Sequence, residues 1–183
     1  MSKTVLIVLA EGFEEIEAVT VIDVLRRADL EVVAAGVGKK EVTGAHGISV
    51  KADILIEAYR GDPDALVLPG GMPGAENLRG SEVLAKILEK AKDDGKWIGA
   101  ICAAPAVVLS PMGVLDGKRA TCYPGYEGQL SSKVHFTMDR VVTDGFVVTS
   151  RGPGTAIEFA LELVSRLVGP EKAAKLSSQL LVK

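Results

Sequence analysis

Cysteine and histidine are scarce in this chain of 183 residues, which has two of each: Cys102 and Cys122, His46 and His135. Two cysteines cannot build a disulfide framework, and a domain of this size can assemble its own core. A reducing, cytoplasmic setting is therefore expected. The histidines stand apart from each other and from the cysteines, so the clustering that zinc requires is missing and no metal is expected. Neither cysteine has a neighbouring histidine in sequence for a protease-type dyad. His46, between Gly44 and Gly47, and His135, in an expected edge strand, both read as surface residues. A net charge of −3 with no basic stripe argues against nucleic acid as a partner. There is no run of like charge, no repeat and no low-complexity segment. The first apolar run, Val5 to Ala10, is too short to span a membrane. Glu11, Glu14, Glu15 and Glu17 follow it without the small-residue spacing of a cleavage site, so neither membrane insertion nor a signal peptide is expected.

What is present is an apolar content of 48%, enough for a sizeable core, and nothing resembling an interdomain linker. Residues 1–183 are therefore expected to form a single domain. Strands alternate with helical patterns, which predicts βαβ units and a mostly parallel sheet. Strands are expected at Thr4–Leu9, Glu31–Val37, Ala65–Leu68 and Trp97–Ile101. Helices are expected at Glu14–Ala28, from a Ser81 cap to Gly95, at Ala103–Leu109, and from a Thr155/Glu158 capping box to Val168. Gly169 and Pro170 end that helix and start the last one. Glu41–Val50, broken by Gly44 and Gly47, reads as an antiparallel excursion. Asp144-Gly145 between Val141–Thr143 and Phe146–Thr149 reads as a hairpin turn.

Two residues stand out chemically. Cys102 ends a strand where a helix is expected to begin, with Ala100 and Ala104 two positions to either side, the pattern of a nucleophile elbow. A thiol at a helix N-terminus feels the positive end of the macrodipole and unpaired N–H groups, so a depressed pKa is expected. Cys122 lacks such a turn and reads as a small buried hydrophobe. On the helical wheel of Glu14–Ala28, Val21, Val24, Leu25 and Ala28 form the inward stripe, and Glu17 falls within it. Glu15, Asp23, Arg26 and Arg27 occupy the polar arc. A carboxyl on an apolar face should have a raised pKa, which makes Glu17 a proton donor or acceptor. Glu14 fits a simple role at the helix dipole. Gly70-Gly71 and the loop Ser150–Thr155 let backbone approach a ligand closely, without the spacing of a phosphate-binding motif.

Taken in order, Ala10-Glu11-Gly12-Phe13-Glu14-Glu15-Ile16-Glu17, Leu68-Pro69-Gly70-Gly71, Ala100-Ile101-Cys102-Ala103-Ala104-Pro105 and Ser150-Arg151-Gly152-Pro153-Gly154-Thr155 resemble the ThiJ/PfpI superfamily. Within it they look most like the branch of the Parkinsonism-associated protein deglycase and its bacterial relatives. The resemblance implies a flavodoxin-like three-layer sandwich, with helices on both faces of the sheet and a β-hairpin excursion. It also implies a homodimer and an oxidation-sensitive cysteine. The family nucleophile maps to Cys102, its partner carboxyl to Glu17, and its oxyanion-hole amides to Gly71 and Ala103. Gly70 and Pro153 match pocket-lining residues, and Arg27 matches an arginine near the dimer interface. The protease-like branch has a histidine directly after the nucleophile, where this chain has Ala103, which argues against peptidase activity. Tyr123 stands where the animal member has a histidine near the pocket.

The function so implied is a cofactor-free, glutathione-independent glyoxalase or deglycase. Its substrates would be methylglyoxal, glyoxal and their adducts with amines or thiols, taken through a Cys102 hemithioacetal. The rival is a redox sensor or chaperone in which Cys102 is oxidised to sulfenate or sulfinate without turnover. Ile16 and Val19, apolar residues on the polar arc of the first helix, provide a second reason to expect a dimer.

Overall fold

The computed structural model describes residues 2–182. The chain opens with β1 (Thr4–Leu9), α1 (Glu15–Arg27), β2 (Glu31–Gly36), β3 (Glu41–Thr43), β4 (Ser49–Lys51) and β5 (Ile54–Leu55). It continues with β6 (Ala65–Leu68), α2 (Gly74–Arg79), α3 (Glu82–Asp93) and β7 (Trp97–Ile101). After β8 (Arg119–Ala120) and β9 (His135–Phe136) come β10 (Val141–Asp144), β11 (Val147–Ser150), α4 (Ala156–Leu167) and α5 (Pro170–Gln179).

Seven strands form one sheet in the order β10-β11-β7-β6-β1-β2-β5, all neighbours parallel except the β10–β11 hairpin. Val5 to Leu9 of β1 are fully buried, as a strand covered on both faces must be. Helix α4 packs against both α1 and α5, while α2 packs with α3 and with a turn at Pro105–Leu109. The result is the α/β, flavodoxin-like sandwich, with β3 and β4 pairing as the antiparallel excursion.

Local chemistry explains the element ends. Glu14 caps α1, its carboxylate accepting the Ile16 N–H, and Ser81 Oγ accepts the Leu84 N–H at the start of α3. Three expectations need correction. The capping box at Thr155 does not form: Thr155 Oγ1 accepts the Gly152 N–H instead, and Glu158 faces Arg140. The Asp144-Gly145 turn is displaced by one residue, because Asp144 pairs with Val147 and the loop is Gly145-Phe146. Only Gly145 of these two has a positive φ (58°), the pattern of a turn with glycine first. Finally, the helix after Cys102 is a π-wound turn, Pro105–Leu109, closed by Ser110 N–H on the Pro105 carbonyl at 2.9 Å. Pro105 lacks an N–H to enter an ordinary helical ladder.

Gly99, in the middle of β7, shows how closely the α4 face is packed. A Cβ there would lie 3.0 Å from Phe159 Cζ and 3.3 Å from Leu163 Cδ2. Phe159 is fully buried, so truncating it leaves a cavity beneath the strand that ends at Cys102. Phe159→Ala is expected to destabilise the fold by about 3–5 kcal/mol, read as a lowered denaturant midpoint with unchanged slope.

Candidate functional site

The candidate residues converge at the carboxyl ends of neighbouring strands, where open parallel sheets form their crevices. Leu9 of β1 leads into the loop that starts α1 and delivers Glu17. Leu68 of β6 leads to Gly70-Gly71, Ile101 of β7 to Cys102, and Ser150 of β11 to Gly152-Pro153.

Cys102 adopts φ 65°, a left-handed conformation that costs energy for a residue with a side chain. Flanking hydrogen bonds hold it there: its N–H donates to the Ser150 carbonyl at 2.9 Å, and its carbonyl accepts the Tyr123 N–H at 2.8 Å. The strain presents the sulfur to the amides of Gly71 and Ala103, both of which act on it. Gly70 must be glycine, since a Cβ there would lie 2.5 Å from Cys102 Cβ and 3.0 Å from the Ala103 nitrogen. Gly71, at φ 86°, has no room for one either, with the Gly12 carbonyl 2.6 Å from where it would sit.

Glu17 has no solvent exposure, as its place on the apolar stripe predicts. Its Oε2 accepts the Gly70 N–H at 2.7 Å. The carboxyl also interacts with the Cys102 thiol, and Oε1 has no hydrogen-bond partner among the described residues. Burial, reinforced by the nearby Glu14, raises the Glu17 pKa to about 7, although the Gly70 amide and the thiol oppose the rise. The thiol is raised as well, to about 12, by burial and then by the Glu17 charge, outweighing the Gly71 and Ala103 amides. The expected thiolate is therefore corrected. Cys102 is only 8% exposed, and a five-residue π turn replaces the helix whose dipole was to ionise it. What the site holds is a coupled acid–thiol pair in which Glu17 gives up its proton as pH rises through about 7 while the thiol keeps its own.

Tyr123 stands at the edge of this pocket, 42% exposed, its ring against Gly152, where a Cβ would be 3.0 Å from Tyr123 Cδ2. Pro153 follows Gly152 in a short 3-10 turn. Cys122 is fully buried beside this segment and its thiol is raised by burial to about 11, in keeping with an inert role. Arg27 is not brought to the pocket within its own chain. It lies about 15 Å along α1 from Glu17, with Nε 2.6 Å from Asp23.

One residue placed on the polar arc by sequence behaves otherwise. Glu15 is buried, not on a solvated arc, and its carboxylate accepts the N–H groups of His46 (2.7 Å) and Ile48 (3.3 Å) and faces His46 Nδ1 at 2.9 Å. Burial works to raise its pKa, but the hydrogen bonds from His46, from its own amide and from Ile48 hold it below the ordinary value. His46 keeps its exposed position while tying the β3–β4 turn to the start of α1. Donor atoms of Glu14, Glu15 and His46 lie within 4.8 Å of one another, the one group of metal-ligating type among the described residues. The Glu15 oxygens are already engaged by the two amides and the imidazole. Only the Gly44–Gly47 turn hinted at this contact: Gly44 needs to be glycine because the Glu15 carboxylate fills the space where a Cβ would be.

Comparison with known proteins places this geometry in context. The DJ-1/PfpI family pattern matches residues 3–166. Protein DJ-1 homolog B of Arabidopsis thaliana is 45% identical over 97% of this chain, which spans only 41% of that relative. The chain likewise spans 47% of the Arabidopsis homolog A. A Caenorhabditis elegans relative named as a glutathione-independent glyoxalase is 37% identical over 95% of this chain and 94% of its own length. Among solved structures, an oxidized Toxoplasma gondii DJ-1 is 44% identical, with a TM-score of 0.94 over 98% of both chains. No helix among the described residues is long and apolar enough to cross a membrane.

The coupled pair generates a pH prediction. Glu17 can receive the thiol proton only as a carboxylate, so Cys102 reactivity should rise as pH increases through about 7. The rate of iodoacetamide alkylation at Cys102, followed by intact mass, should show that step. Glu17→Gln, which cannot accept a proton, should remove it.

Proposed function

The chain belongs to the DJ-1/PfpI family, and from that premise we propose that it is a cysteine-dependent, glutathione-independent glyoxalase and deglycase. Its substrates would be methylglyoxal, glyoxal and their adducts with amines or thiols. The observation that carries the proposal is the buried Glu17 carboxyl, poised near neutrality against a thiol flanked by two backbone amides. A general base works best with a pKa near the operating pH.

The sulfur of Cys102 attacks the aldehyde carbon while Glu17 takes the S–H proton, so the thiolate exists only as the C–S bond forms. The carbonyl electron pair moves to oxygen, where the Gly71 and Ala103 amides stabilise the alkoxide. Glu17 returns the proton to that oxygen, giving the hemithioacetal and leaving itself ionised. It then removes the hydrogen from the former aldehyde carbon to form an enediol and delivers it to the adjacent carbon. The hydroxyl proton on the sulfur-bearing carbon passes to the oxygen of the adjacent carbon, which closes a thioester of the 2-hydroxy acid. Water cleaves the thioester to lactate or glycolate and restores the thiol. The sequence is an internal redox isomerisation followed by hydrolysis, so it balances with water alone and without a cofactor. Gly70 keeps the carboxyl in place through its N–H, and Tyr123 and Pro153 bound the opening.

The alternative reading is oxidation of Cys102 to sulfenate or sulfinate in an oxidative-stress sensor or chaperone. The Gly71 and Ala103 amides and a protonated Glu17 would supply donors to its oxygens. The raised thiol pKa and low exposure favour turnover over this reading, since oxidation follows thiolate character and access. Methylglyoxal loss without glutathione should be abolished in Cys102→Ala and reduced roughly 100-fold or more in Glu17→Gln. Turnover surviving Cys102→Ala would sink the mechanism.

Assembly as a homodimer belongs to the same proposal. Ile16 and Val19 are 56% and 48% exposed on α1, and Ile48, 59% exposed, lies beside them on the segment bonded to Glu15. Three exposed aliphatic side chains so close together suit a partner surface, and Arg27 on the same helix would border it. Light scattering should give twice the chain mass, and Val19→Asp should shift it toward the monomer.

A further inference from the structure

We propose that Arg140, which lies outside the Cys102 pocket, is the positioning residue that fixes the pocket's outer wall. Only its kinetic readout rests on the glyoxalase reading.

Arg140 immediately precedes β10, and its two ends reach different parts of the site. Its guanidinium grips Glu158 of α4, with Nε 3.0 Å from both carboxylate oxygens and Nη2 2.7 Å from Oε1. The same Nη2 donates to the Gly154 carbonyl at 2.9 Å. Its main-chain carbonyl accepts the Ser150 hydroxyl at 2.8 Å, and the Ser150 carbonyl in turn accepts the Cys102 N–H at 2.9 Å. One residue is thus tied both to the strand end that holds the nucleophile and to the loop that flanks it.

That loop has few other anchors. The Gly152 N–H and carbonyl both bond to Thr155 Oγ1, which also meets Ser150 Oγ at 2.6 Å, so the turn is closed on itself and tied to the end of β11. Around Gly154 a Cβ would meet nothing within 4 Å. Gly152 lies against the Tyr123 ring, and Tyr123 donates its N–H to the Cys102 carbonyl. Wall and nucleophile are therefore held in register through Tyr123 on one side and Arg140 on the other. The Glu158 ion pair is exposed, and such pairs add little to global stability. Its consequence lies in geometry, because the planar fork engages carboxylate and carbonyl together, which a lysine ammonium on a flexible stem does not reproduce.

The test compares Arg140→Gln and Arg140→Lys with wild type by two independent readouts. The first is the ratio of Cys102 alkylation rates with a bulky reagent, N-phenylmaleimide, and a small one, iodoacetamide. Loosening the wall should raise this ratio several-fold in both variants while leaving the pH step near 7 in place. The second is methylglyoxal turnover, where KM should rise roughly fivefold with kcat within about twofold, given the sensitivity of positioned substrates to small displacements. An unchanged alkylation ratio in the lysine variant overturns the proposal. So does a fall of kcat in parallel with melting temperature at unchanged KM, which would mark a purely structural role. If wild type shows no turnover but the ratio shifts, the wall assignment stands and the glyoxalase reading falls.

Discussion

The site depends on one costly arrangement: a carboxyl group with no access to water, set against a thiol that is itself almost buried. Removing a charged carboxylate from water is expensive, and the molecule answers in two ways. It donates the Gly70 N–H at 2.7 Å, and it lets Glu17 keep its proton until about pH 7. Both answers impose conditions on the chain around them. Gly70 can donate to Glu17 only because no Cβ separates it from Cys102. Cys102 can face the carboxyl only by accepting φ 65°, which the β11 end and the Tyr123 segment hold from either side. The fold supplies this by bringing the ends of β1, β6, β7 and β11 to one crevice.

Much of this was legible in the residues. β1, β2, β6 and β7 are read from apolar runs with clear ends, and their boundaries agree to within a residue. Glu17 shows itself because a carboxyl interrupting an apolar stripe is costly to ionise, although on sequence alone a simple role at the helix dipole explains it equally well. The elbow at Cys102 is visible in its small neighbours. What failed were features set by partners distant in sequence. Glu15 looks solvated on a helical wheel, and only the β3–β4 turn folding back makes it a buried acceptor. Thr155 and Glu158 have the spacing of a capping box, but Ser150, Gly152 and Arg140 compete for both side chains and win. The ionisation state of Cys102 failed for the same reason. The start of a following helix and the Ala103 amide are local effects, whereas burial and the Glu17 charge come from elsewhere in the fold and outweigh the amides.

That last correction changes the chemistry the site favours. A free thiolate reacts with any electrophile that reaches it, peroxide included, and its reactivity is always on. Burial instead keeps the proton on Cys102, and in the proposed mechanism Glu17 accepts it only when a substrate occupies the pocket. Reactivity then belongs to the pair, and it is greatest toward electrophiles that need a base more than once. An α-ketoaldehyde is such an electrophile: the proton must leave sulfur, reach oxygen, and then a second hydrogen must pass between adjacent carbons. A carboxyl near pKa 7 can serve each transfer in turn without being trapped in either protonation state. Peroxide uses only the first. Under the proposed function, the burial that costs the protein stability at Glu17 is thus the same burial that would separate a proton-shuttling enzyme from a simple oxidant trap.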